Sequence, residues 1–158
     1  MSAFKHAFRR HAAGVAIVTL RSPEGGPVGF TATSLASLAA VPPLATFNMA
    51  RTASSWPAVE STEHVIVHLL GLGNRELAQR MAGPAALRFA ADDWTEGPHG
   101  VPLLTGVTAW MSGRIIERVP VHNNAVVVIE IEDGGVGPDD DALLYHDRRY
   151  LRPVHLDD

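Results

Sequence analysis

The sequence predicts a mainly β protein, an antiparallel barrel with short helices packed outside it. β-branched and apolar runs recur at short spacing, as in Val15-Ala16-Ile17-Val18-Thr19-Leu20 and Ala125 to Ile131. Dense turn signals separate them, among them Ser22-Pro23-Glu24-Gly25-Gly26-Pro27 and Pro138-Asp139-Asp140-Asp141. The helical stretches are few, and no regular strand–helix alternation surrounds them, which disfavours a parallel α/β sheet. About six or seven strands and two or three short helices result.

Each element has a local reason. Phe4 and Phe8 are four apart within residues 2–12, which puts both rings on one helix face, with Gly14 as the stop. Val15 to Leu20 is apolar on both faces and reads as a buried strand. Val28 to Leu35 returns as its hairpin partner, and Leu44 to Met49 follows the paired prolines Pro42-Pro43. Thr52 to Ser61 predicts a short helix, with Thr52 able to cap and Pro57 near the first turn. His64 to Leu70 is a strand, and Asn74 to Met81 is a short helix ending at Gly83-Pro84. Residues 84–105 lack periodicity and predict a long surface excursion. Val107 to Val119, Ala125 to Ile131 and Leu143 to His146 are strands, with turns at Gly134-Gly135 and Asp147-Arg148-Arg149.

Composition sets limits. At 158 residues, with 46% hydrophobic content, one domain with a real core is expected. No repeat or linker divides it. The net charge of −4 argues against a general nucleic-acid binder. The absence of cysteine excludes disulfides, thiolate metal sites and a cysteine nucleophile. Met1 to Arg10 is not a secretory signal, and no apolar run is long enough to span a membrane. A soluble cytoplasmic protein is expected.

Two segments could carry a ligand. Gly29-Phe30-Thr31-Ala32-Thr33-Ser34 crowds hydroxyls and small residues at a strand end. Either the backbone there approaches a ligand, or the segment is the polar outer face of a hairpin. Asn48, Arg51, Thr52, Ser54 and Ser55 gather before a short helix. They read as an anion site or as ordinary capping. Gly71-Leu72-Gly73 is rejected as a dinucleotide fingerprint, because Glu76 stands where the third glycine belongs. His64 and His68 would share a strand face about 13 Å apart, too far to hold one metal, and no metal site is assigned. Most of the eight histidines read as surface or core-edge residues. His146, ending a strand beside two arginines, stands out from the others. No Gly-x-Ser-x-Gly elbow supports a serine hydrolase. The triple aspartate lacks calcium-loop spacing.

These segments, in order, resemble the flavin reductase family of FMN-binding split barrels. The resemblance rests on Phe8 to Thr19, Val28-Gly29-Phe30-Thr31-Ala32-Thr33-Ser34, Pro42-Pro43 and Asn48 to Ser55. It continues through Leu77 to Gly83, Arg88-Phe89, Leu143-Leu144-Tyr145-His146 and Arg149-Tyr150. It covers nearly the whole chain and implies a split antiparallel barrel and a homodimer. It also implies hydride transfer from NADH or NADPH to FMN or FAD, with reduced flavin passed to a partner monooxygenase. It implies that Thr31, Ala32, Thr33 and Ser34 edge the flavin ring. Asn48, Ala50 and Arg51 would border the ring and ribityl chain. Ser54 and Ser55 would hold phosphate, Arg88 would assist, and His146 would sit on the nicotinamide side. Thr33 and Phe30 depart from the family's asparagine and methionine. The alternatives are a flavin-binding module without turnover and a split barrel holding haem or serving as a scaffold.

Overall fold

The computed structural model describes residues 2–157. The chain opens with α1 (Ser2–Arg9), then β1 (Ala13–Gly14), β2 (Ala16–Arg21), β3 (Pro27–Ala32), β4 (Ala36–Ala40) and β5 (Pro43–Ala50). Next come α2 (Trp56–Ser61), β6 (His64–Leu69) and α3 (Arg75–Met81). The pairs β7 (Trp94–Glu96) with β8 (Pro102–Leu104) and β9 (Ala109–Val121) with β10 (Asn124–Val136) follow. The chain finishes with β11 (Leu144–His146) and β12 (Arg149–Leu151).

Seven strands form one antiparallel sheet in the order β3-β2-β6-β9-β10-β5-β4. The sheet curls without closing, so β3 and β4 are its two free edges. This is the split barrel. A second sheet, β1-β11-β12, and a ribbon, β7-β8, lie against it.

Strand β2 explains the layering. Ala16, Val18 and Leu20 face the barrel core with Phe47, Val65, Val67, Val127 and Ile129. Val15 and Ile17 face outward, under Leu77, Ala78 and Met81 of α3 and under Leu104 of β8. A strand covered on both faces must be apolar throughout, which is why this run was so legible. Gly113 marks a tight crossing of β9 and β10. A Cβ there would lie 2.3 Å from the Glu130 carbonyl oxygen.

Several expectations need correction. Gly14 does not stop the helix; it pairs with Leu144 in the second sheet. Thr52 does not cap α2; Ser55 occupies that position. The strand from Val28 ends at Ala32, three residues early, and a separate strand β4 follows. Its sequence, Ala-Ser-Leu-Ala-Ala, lacks both β-branching and alternation. Gly134 and Gly135 lie inside β10, paired with Met111 and Trp110, and form no turn. The 84–105 excursion is ordered around β7-β8 and packs on the back of β2 and β6. Val101 and Leu104 are buried there, and the Thr19 hydroxyl donates to the Pro102 carbonyl at 2.6 Å.

His68 lies inside the core. It is fully buried on β6, its Nδ1 3.1 Å from the Ile17 carbonyl, and its Nε2 receives the Leu104 N–H at 3.0 Å. Both bonds suit the neutral ring with Nδ1 protonated. Burial lowers its pKa to about 4, against the opposing pull of the Ile17 carbonyl. Among the described residues, no helix is long and apolar enough to cross a membrane.

Candidate flavin and nicotinamide site

The candidate site lies along edge strand β3. A strand with one neighbour leaves part of its N–H and C=O groups unpaired, ready for a ligand. At its start, Pro27, Val28 and Gly29 line a cleft of about 90 Å³ with Ser54, Ser55, Arg88 and Phe89. Gly29 is required by close approach, since a Cβ there would meet the Phe89 ring at 2.8 Å and the Met81 sulfur at 3.1 Å. Ser55 is buried yet makes no side-chain cap bond to α2.

Arg88 is positioned rather than loose. Its Nη1 donates to the Gly29 carbonyl at 2.8 Å and its Nε to the Gly83 carbonyl at 3.0 Å. Arg80 of α3 donates to the Arg88 carbonyl at 3.2 Å and pairs with Asp93. The Arg88 Nη2 has no hydrogen-bond partner among the described residues, so the guanidinium keeps donor capacity. Two serine hydroxyls and this cation form a donor set suited to phosphate.

Farther along β3, Thr31 and Thr33 line a second cleft of about 250 Å³ with Val15, Ala82, Tyr145 and Tyr150. Thr33 and Tyr145 continue into a third, of about 620 Å³, which Ser34 and His146 share with Phe4, Phe8 and Arg148. Gly29 to Thr33 covers about 13 Å of extended chain, so the clefts form one line. The two tyrosine rings meet edge to face at 5.3 Å. Burial and the neighbouring Tyr145 raise the Tyr150 pKa, while Arg75 opposes the rise.

The β11–β12 hairpin presents His146. Its two-residue turn, Asp147-Arg148, has φ of 50° and 63°. Positive φ at both central residues is what a type I′ hairpin turn needs, here without glycine. The Asp147 N–H donates to the Arg9 carbonyl at 3.1 Å, which ties the hairpin to the end of α1.

The structure thus brings Thr31, Thr33 and Ser34 together with His146, and Ser54 and Ser55 together with Arg88. The Ala32 side chain points into the barrel core, so only its backbone is available. Asn48, Ala50 and Arg51 line none of these clefts. The Asn48 N–H donates to the Ser34 hydroxyl at 2.9 Å, which locks the end of β3 to β5. The Arg51 guanidinium instead donates to the His122 carbonyl at the β9–β10 turn. Tyr145, Tyr150 and the exposed rings of Phe4 and Phe8 are lining residues not singled out beforehand. The aromatic spacing of Phe4 and Phe8 was visible, but the wall that α1 forms was not.

Fold and clefts define a split antiparallel barrel with a cleft lined by two serines and an arginine, followed along the strand by an aromatic-walled groove. The chain belongs to the flavin reductase like domain family, whose model matches residues 8–153. It is 41% identical over 158 residues to an NADH:FMN oxidoreductase of Rhodococcus qingshengii, covering 97% of this chain and 82% of the relative. It is 32% identical to the 4-hydroxyphenylacetate 3-monooxygenase reductase component of Pseudomonas aeruginosa, covering 95% and 90%. It superposes on the crystal structure of a flavin reductase domain protein from Arthrobacter sp. FB24 with a TM-score of 0.96. That pair is 54% identical and covers 99% and 97% of the two chains.

Proposed function

We propose that this chain is an NAD(P)H-dependent flavin reductase, one domain long, whose flavin lies along β3. The line of clefts from Ser54, Ser55 and Arg88 to His146 carries the reading, because it pairs an anion-binding end with a groove for a flat ring. Two features support a phosphorylated flavin. Ser55 makes no side-chain cap bond to α2, and the Arg88 Nη2 keeps donor capacity.

When bound, the flavin supplies the hydride-accepting chemistry. Ser54, Ser55 and Arg88 hold the phosphate. Backbone N–H groups and hydroxyls of Thr31 to Ser34 would orient the ring edge and favour negative charge on it. Tyr145, Tyr150 and α1 exclude water from the groove, and His146 positions the nicotinamide nucleotide. Asn48 acts through Ser34, and Arg51 steadies the β9–β10 turn.

The working unit is a homodimer. All five residues of β4 are exposed, including Leu38, and Val41 beyond it is 94% exposed. An apolar groove lined by Leu35, Ala36, Leu44 and Met111 runs beside them. A second copy of this chain would cover that edge. Reduced flavin then passes to a monooxygenase, in the cytoplasm where the nicotinamide nucleotide pool lies.

Titration with FMN and FAD tests the site. The Thr31→Val plus Ser54→Ala double variant should bind flavin at least about tenfold more weakly, as expected for two lost hydrogen bonds. Unchanged affinity in a folded double variant would overturn the assignment.

A further inference from the structure

Away from β3, three local irregularities converge on one point. His64, at the start of β6, has a buried Nδ1 without a hydrogen-bond partner. His99, in the turn between β7 and β8, holds a left-handed backbone at φ 57° and stacks on His64 at 3.7 Å between centroids. Glu132 is the extra residue of a β-bulge: Ile131 pairs with Gly113 and Asp133 with Ser112, adjacent positions on β9. One donor atom from each of His64, His99 and Glu132 lies within 4.8 Å of the other two.

Each irregularity is costly or unusual alone. A buried ring nitrogen wants a partner. A non-glycine residue at positive φ is uncommon. Bulges re-aim side chains. A shared cation accounts for all of them, and none of the three residues lines the flavin clefts.

We propose that His64, His99 and Glu132 form a site for a divalent transition ion, zinc in the first instance. Two imidazoles and a carboxylate are the donor set that zinc favours, with a remaining position for water. Tetrahedral zinc at 2.0–2.2 Å would draw the donors to about 3.3 Å from one another. His99 and Glu132 are exposed and free to close by that margin, with the His99 ring tilting out of its stack. The ion would clamp the β7–β8 ribbon to β6 and β10, over the region where His68 and Thr19 are buried. Sequence spacing hid the site, because it pairs His64 with His68 and leaves His99 in an irregular stretch.

The test is zinc titration of the full chain against a chromophoric chelator, with thermal unfolding in parallel. The wild type should take up one zinc with a raised Tm. His99→Ala and Glu132→Gln, both at exposed positions, should each weaken zinc binding by at least about tenfold. Both should also abolish the zinc-dependent rise in Tm and leave flavin reduction unchanged. Equal zinc affinity in the wild type and both variants would place the ion on other surface histidines and overturn the proposal. So would a wild type that binds no zinc. Neither result bears on the flavin reading.

Discussion

The two free edges of the same sheet meet opposite surroundings. Edge β3 is roofed by α3, by the Arg88 loop and by the β11–β12 hairpin, and its exposed polar groups line clefts. Among the described residues nothing roofs edge β4; Ala36, Ser37, Leu38, Ala39 and Ala40 are all exposed. An uncovered edge is a template for pairing, whereas a roofed one is a place for a small ligand. On the proposed reading, one split in the barrel serves two purposes, a nucleotide groove on one lip and a protein contact on the other.

The largest expected effect is at the uncovered lip. Leu38→Arg should convert the proposed dimer to a folded monomer, read by light scattering and circular dichroism, since an uncompensated buried charge costs about 3–5 kcal/mol. A dimer that persists would move the contact elsewhere.

Next comes the interior of the sheet, where His68 of β6 bonds to β2 and to the β7–β8 ribbon. Its folded pKa of about 4 lies below the unfolded value of 6.5, so folding favours the neutral ring. The resulting stability is complete above pH 6.5 and is lost as pH falls toward 4. The loss amounts to about 3 kcal/mol, measurable by denaturant unfolding across that window. His68→Gln should flatten the acid slope.

The roofed lip gives the third effect. Arg88→Ala should raise the flavin Kd by about 10–100-fold, by loss of a charged hydrogen bond, without changing the oligomer. The smallest is at His146. Exchange for alanine should raise KM for the nicotinamide nucleotide several-fold and leave flavin affinity intact, read from steady-state kinetics beside a flavin titration.

The roofed lip was more legible in the sequence than the open one. Gly29 to Ser34 announces itself by hydroxyls where a strand favours apolar groups, and Ser54 and Ser55 by their density before a proline-started helix. Local sequence spells out such features. Strand β4 was invisible because alanine and serine carry no strand signal, and its pairing with β5 is a tertiary choice. The Arg51 contact was hidden for a related reason: its guanidinium donates to the His122 carbonyl of the β9–β10 turn, a partner that its sequence neighbours do not show. The buried His68 was equally hidden, since the Leu104 N–H that satisfies it comes from a ribbon with no periodic pattern.

The most direct test of the reductase assignment is to mix the protein with FMN or FAD and NADH or NADPH, and follow the nicotinamide absorbance against a protein-free control. Protein-dependent oxidation with at least one pair is expected, abolished or slowed by Arg88→Ala at limiting flavin. Flavin binding with no oxidation for any pair would contradict it and leave a flavin-binding barrel without turnover.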